Sequence, residues 1–148
     1  MISEKVKAFN EAIKDRDLLQ NPLIIAGADL QLRELEARSG KNRQIFTSEL
    51  AATIISSFSL IALDDVAIPA EEIKGSIARM MRVWSWVDTA EKPVVKDEIL
   101  HSLSTRPIPL KQGSIAEIRA QNAMLLGMFE TFDEFVSANI AGRGGAHE

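Results

Sequence analysis

The sequence contains no cysteine and no tyrosine, and it has only two histidines. Without cysteine the chain can form no disulfide, no thiolate zinc site and no cysteine nucleophile. Two histidines leave few groups for acid–base chemistry near neutral pH. No Ser-His-Asp arrangement is predicted, because no serine stands in a strained turn beside oxyanion donors. We therefore expect a protein without a cofactor that is not an enzyme. An enzyme with a metal or small-molecule pocket between helices remains a weaker alternative.

Long hydrophobic runs and targeting segments are also missing. The longest stretch without a charge, residues 50–63, has fourteen residues, whereas a membrane-spanning helix needs about 20. The N-terminus alternates in charge where a signal peptide has an apolar run. We therefore expect a soluble cytoplasmic protein with no membrane partner. The net charge of −4 also argues against nucleic acid as the partner, although a local basic patch can still exist.

What the sequence does contain is helical periodicity over one domain's length. The 148 residues are 46% apolar and 26% charged, which is typical of a soluble globular domain. Apolar residues recur at steps of three and four, and no strand-like alternation persists. The pattern predicts an all-α fold, a compact bundle of five or six helices around a central apolar helix over about 44–63. The helical domain covers 1–141, and 142–148 is predicted to be a disordered tail.

The central helix carries Glu49 as its only charge, so we expect it to be enclosed on most sides. The same periodicity predicts which residues elsewhere face the core. The residues expected to be among the most buried are Leu50, Ile54, Phe58, Ile61, Trp84, Phe129 and Phe132.

The helix that precedes the central one has two apolar stripes. Asn21-Pro22 is a typical helix start and Gly40 a typical stop. Opposite the main apolar face lies a second stripe formed by Leu23, Ala26, Leu30 and Ala37. A helix of this kind lies between two layers or faces a partner subunit. We expect a homodimer that uses Leu23, Ala26 and Leu30, or else the face that carries Trp86.

Two tryptophans on the fourth predicted helix point in different directions. Trp84 belongs to the apolar stripe, whereas Trp86 is turned about 200° away, beside Arg79 and Arg82. Trp and Arg are enriched at binding hot spots, and Arg82 can stack on the ring. The predicted partner-binding residues are therefore Arg79, Arg82, Trp86, Leu23 and Leu30. The competing interpretation, given equal weight, is that another helix of the same chain covers Trp86.

A nucleic-acid-binding regulator is the main alternative function. The helices on either side of Gly40 are spaced like a helix-turn-helix. Arg38, Lys41 and Arg43 are placed to meet phosphates, and Gln44 a base edge. The second helix of the pair is, however, too apolar for a recognition helix. We therefore favour a protein–protein interaction protein, such as an adaptor, an inhibitor or an assembly factor.

Glu98-x-x-His101 has the spacing of carboxylate-bridged metal sites. Such a site needs a second pair of the same kind, and the chain has none. The favoured interpretation is a solvent-facing Asp97–His101 pair near a helix end, so no metal site is predicted.

Overall fold

The computed structural model of the protein describes residues 4–62, 67–105 and 115–139. Within these ranges the chain forms seven α-helices and no strand, so the predicted all-α fold is confirmed. The helices are α1 (Glu4–Lys14), α2 (Arg16–Leu19), α3 (Pro22–Ser39), α4 (Arg43–Ala62), α5 (Ala70–Trp86), α6 (Lys92–Thr105) and α7 (Ile115–Asn139). The predicted tail over 142–148 lies outside the described residues.

The helix that the sequence pattern missed is α2, a single turn after α1. The charged run at 14–17 ends the first helix as predicted, but Asp15 also starts a new turn. Its carboxylate accepts a hydrogen bond of 3.0 Å from the backbone N–H of Leu18, which is the usual N-cap arrangement. Leu19 then points into the core. One turn is too short to show a helical period, which is why five or six helices were predicted.

A tight reversal joins α3 to α4. Asn21 caps α3 by accepting a hydrogen bond of 2.8 Å from Leu23, and Pro22 occupies the first turn. At the other end Gly40 has a left-handed backbone with φ of 56°, the conformation that glycine adopts most readily. An ion pair of 3.2 Å between Arg38 and Glu49 links the two helices beyond the turn.

The centre of the bundle is α4, which packs against α1, α3, α5, α6 and α7. All seven residues predicted to be most buried are in the core. The ring of Phe58 makes edge-on contacts with Phe9 and Phe132, at centroid distances of 5.7 and 5.2 Å. Edge-to-face pairs of this kind add to the energy of apolar burial, so α4 organises the aromatic core.

One side of α4 faces solvent, whereas its other sides are enclosed by the bundle. Gln44, Ser48, Ala52 and Ser56 are exposed. Residues 43–61 are long and apolar enough to cross a membrane, with a mean hydropathy of 1.3. Apart from Ile45, the outward side chains are small or polar, and the inward ones pack on five other helices. This is the pattern of a core helix in a soluble protein, and the cytoplasmic location stays a prediction.

A polar network fastens α5 to α6 and α7. The indole Nε1 of Trp84 donates a hydrogen bond of 2.8 Å to Asp133, which also pairs with Lys96 at 3.1 Å. The ammonium group of Lys92 lies 5.7 Å from the Trp84 ring centroid, and burial lowers the pKa of Lys92. Trp84 is therefore held by a directed hydrogen bond as well as by packing.

Candidate functional site

The face of α5 that carries Arg79, Arg82 and Trp86 is largely covered by the chain's own helices. Helix α3 packs so closely on α5 that a Cβ atom on Gly27 would lie 2.7 Å from the Cδ atom of Arg79. Arg82 is only 8% exposed, and Trp86 is half-buried against the core. The expectation of an open charged face is therefore wrong for Arg82, because α1, α2 and α3 all pack against α5.

The guanidinium group of Arg82 is held without a full set of partners. Its Nε atom is buried and has no hydrogen-bond acceptor. Its Cζ atom lies 5.9 Å from the centroid of the Trp86 ring, a distance at which cation–π attraction still acts. Burial lowers the pKa of Arg82, because desolvation disfavours the charged form. Arg82 and Trp86 thus form an internal contact, and their role in binding a partner stays a prediction.

The basic loop at the start of α4 has most of its charge neutralised. Both Nε and Nη2 of Arg43 donate hydrogen bonds to Glu91, the second at 2.7 Å. The hydrogen bond to Glu91 raises the pKa of Arg43. Arg38 is paired with Glu49. Lys41 and Gln44 remain exposed, so two of the three cations predicted to meet phosphates already bind carboxylates of this chain.

The second apolar stripe of α3 faces solvent. Leu23 is 81% exposed and Leu30 is 63% exposed, the two highest values among the exposed large apolar side chains of the described residues. Ala26 and Ala37 on the same stripe are exposed as well. Scattered apolar residues are normal on a protein surface, whereas a row along one helix marks a candidate contact face.

A groove of about 410 Å³ runs beside these leucines, between α3 and α5. Gly27 is one of its lining residues, and α3 and α5 are closely packed there. We call this surface the α3 groove; it is lined by Leu23, Gly27, Leu30, Gln31, Glu34, Ser76 and Arg79. The groove therefore has two exposed leucines among its lining residues.

Two opposite charges line the α3 groove without pairing to each other. Among the residues that the structure describes, neither Glu34 nor Arg79 forms an ion pair or a hydrogen bond through its side chain. By contrast, Arg33 on the same helix is paired with Asp29 at 2.9 Å. The α3 groove thus offers one acceptor and one donor charge to a molecule that enters it.

The residues with metal-ligand spacing do not assemble into a site. Asp97 and His101 are exposed on α6. In residues 4–62, 67–105 and 115–139, no three or more His, Asp or Glu side chains come together closely enough to hold a metal ion.

Comparison of the chain with protein-family models, with curated proteins and with solved structures gives no match.

The sequence pattern identified Leu23, Leu30 and Arg79 but missed the other residues that line the α3 groove. A signal was present, because Leu23, Gly27, Leu30 and Glu34 follow one another at steps of four, three and four, the spacing of one helix face. The contribution of Ser76 and Arg79 depends on how α5 packs against α3. That relation is long-range and leaves no periodic trace in the sequence.

Proposed function

We propose that the protein acts by binding another protein chain through the outward face of α3 and the α3 groove, as an adaptor, inhibitor or assembly factor. The observation that carries this proposal is the pair of exposed leucines, Leu23 and Leu30, beside a groove of about 410 Å³. Burying one leucine side chain is worth about 1.5–3 kcal/mol. Two leucines, two helical turns apart on the same stripe, therefore supply a substantial apolar anchor for a partner helix.

The nucleic-acid alternative receives less support from the same surface. Binding to duplex phosphates depends on free cations, and each contact releases counterions from the nucleic acid. Arg43 and Arg38 are engaged by Glu91 and Glu49, so a phosphate would have to compete with both carboxylates. Of the cations predicted for this role, only Lys41 lies exposed without a carboxylate partner in the described part of the chain.

The proposal is tested by capture experiments with the native chain and two variants. Leu23→Glu/Leu30→Glu places two charges on the α3 stripe, and Val94→Glu is the matched control, since Val94 is 53% exposed on α6. We expect a host protein bound by the native chain and by the control to be lost from the double variant. Circular dichroism melting checks that both variants fold alike.

A partner retained equally by all three proteins would contradict the proposal. Binding to a duplex DNA probe that falls steeply with salt and requires Lys41 would instead favour the nucleic-acid alternative.

A further inference from the structure

The α3 groove carries apolar and charged side chains within one patch. The exposed leucines Leu23 and Leu30 line the groove together with Gly27, Ser76 and Arg79. A two-fold symmetric dimer uses the same patch on both subunits, so one patch must supply both members of every contact.

The charges of the α3 groove are complementary in the same sense. Glu34 and Arg79 carry opposite charges and pair with no other described residue. A foreign partner would need its own matching acid and base, whereas a second copy supplies both. Rotation about a two-fold axis brings Glu34 of each copy to Arg79 of the other, which makes two ion pairs from one contact.

We infer that the occupant of the α3 groove is a second copy of this chain, with the two α3 helices crossing antiparallel at Leu30. The position of the axis follows from the charges. Arg79 lies against Gly27, so pairing it with Glu34 of the other copy sets residue 27 opposite residue 34. The axis then passes midway between them, at Leu30 and Gln31. This inference rests on the proposed function, because it names the partner of the same surface.

The position of the axis can be tested with single introduced cysteines, because the native chain has no thiol that could cross-link. Leu30→Cys would place two thiols close to the axis, within the reach of a disulfide. Leu23→Cys lies seven residues further along the helix, about 10 Å from the axis at 1.5 Å per residue. Its two copies are therefore about 20 Å apart, too far to join. Val94→Cys on α6 is the control for random collision.

Under mild oxidation we expect Leu30→Cys to form a covalent dimer, and Leu23→Cys and Val94→Cys to remain monomeric on a non-reducing gel. Equal cross-linking of all three would show random collision and overturn the inference. Cross-linking of Leu23→Cys in preference to Leu30→Cys would overturn the antiparallel register.

Charge exchange separates a second copy from a foreign partner. In sedimentation experiments, Glu34→Arg and Arg79→Glu should each weaken the dimer about tenfold or more, because like charges then meet across the axis. The double variant Glu34→Arg/Arg79→Glu should regain most of the native affinity, since each copy still supplies one acid and one base. A foreign partner with fixed charges would not rebind the double variant. If Arg79→Glu alone fails to fold, Leu30→Glu serves as the disrupting variant.

A native chain that sediments as a monomer at about 200 μM, a concentration above the dissociation constant of ordinary dimers, would overturn the inference. The proposed function could survive that result. If a host partner bound the native chain but not Leu23→Glu/Leu30→Glu, the α3 face would still be a protein-binding surface. If Leu23→Glu/Leu30→Glu kept both the dimer and the host partner, the inference and the proposed function would both be overturned.

Discussion

Helices α4 and α5 differ in burial, and the difference is the opposite of what their compositions predict. Helix α4 has only two charged residues, Arg43 and Glu49, yet a stripe of it faces solvent. Helix α5 contains five charged residues, yet every residue of 80–85 in its second half is buried. The comparison shows that burial depends on which helices surround an element. A polar or charged residue prevents burial only where its hydrogen-bonding groups would find no partner inside the protein.

The polar residues of the two helices explain how this arrangement is tolerated. On α4, the hydroxyls of Thr53 and Ser57 donate to carbonyls one turn back, at 2.8 and 2.9 Å. On α5, the Ser85 hydroxyl does the same with the carbonyl of Arg82 at 2.7 Å. A side chain that bonds its own helix can lie in either environment. Within α4 and α5 as the structure describes them, only Arg82 has a buried side-chain polar atom, Nε, without a hydrogen-bond partner.

Among truncations of core side chains, the largest effect is expected from Trp84→Ala on α5. Trp84 is fully buried, meets Phe129 edge-on at 5.6 Å and donates to Asp133. Truncation removes this packing and the indole donor of Asp133, which keeps its ion pair with Lys96, so we expect about 3–5 kcal/mol of lost stability. Urea unfolding measures it. A loss below about 1 kcal/mol would show that the second half of α5 is not a packed element.

A slightly smaller loss is expected from Phe58→Ala on α4, about 3–4 kcal/mol. Phe58 is 1% exposed and contacts two aromatic rings, but it takes part in no polar network. Thermal unfolding of this variant beside Trp84→Ala compares the two helices directly. If Phe58→Ala proves clearly the milder of the two, α5 rather than α4 is the centre of the bundle.

Arg82→Met on α5 should raise the free energy of unfolding, whereas the two truncations lower it. Methionine follows a similar path into the core without the buried Nε that has no acceptor. The lost cation–π contact with Trp86 is worth about 0.5–1 kcal/mol, whereas removing the buried Nε that lacks an acceptor relieves about 1–3 kcal/mol. We therefore expect a gain of about 1 kcal/mol, read from the melting temperature. Destabilisation of that size would mean that the Arg82–Trp86 contact supports the fold.

The smallest effect is expected on the open stripe of α4. Ala52 is exposed, so Ala52→Glu should leave the free energy of unfolding within about 0.5 kcal/mol of the native value. The matched inward change is Ala51→Glu, one residue away on a fully buried position, which should unfold the protein. Equal effects of the two variants would contradict the difference in burial between the two sides of α4.

The fold could be predicted from periodicity because each long helix repeats its apolar face several times. The positions of Phe58, Trp84 and Phe132 in the core were predicted in this way and are confirmed. Three features were not predictable: the single turn of α2, the open side of α4 and the burial of Arg82. Each depends on a local cap or on contacts between distant helices, neither of which produces a period.

Only part of the candidate site could be predicted from the sequence. The exposed leucines of α3 form a stripe that a helical wheel reveals, and Leu23 and Leu30 are indeed on the surface. The groove beside them requires knowing that Gly27 of α3 meets Arg79 of α5, which lies 52 residues further along the chain. Which residues bind a partner stays a prediction.

The long-range contacts of α1 determine the order in which the nascent chain can fold. Helix α1 leaves the ribosome before the others, but it packs chiefly on α5, and Lys5 donates a hydrogen bond of 2.9 Å to the carbonyl of Leu60 in α4. At a translation rate of about 5–20 residues per second, the seventy or so residues between α1 and the end of α5 take about 4–14 seconds to make. Until α5 is complete, α1 has mainly α2 and α4 to pack against, and Phe58 of α4 is the ring that meets Phe9. Part of the apolar face of α1 therefore stays uncovered for seconds of synthesis, which is long enough for a chaperone to bind it.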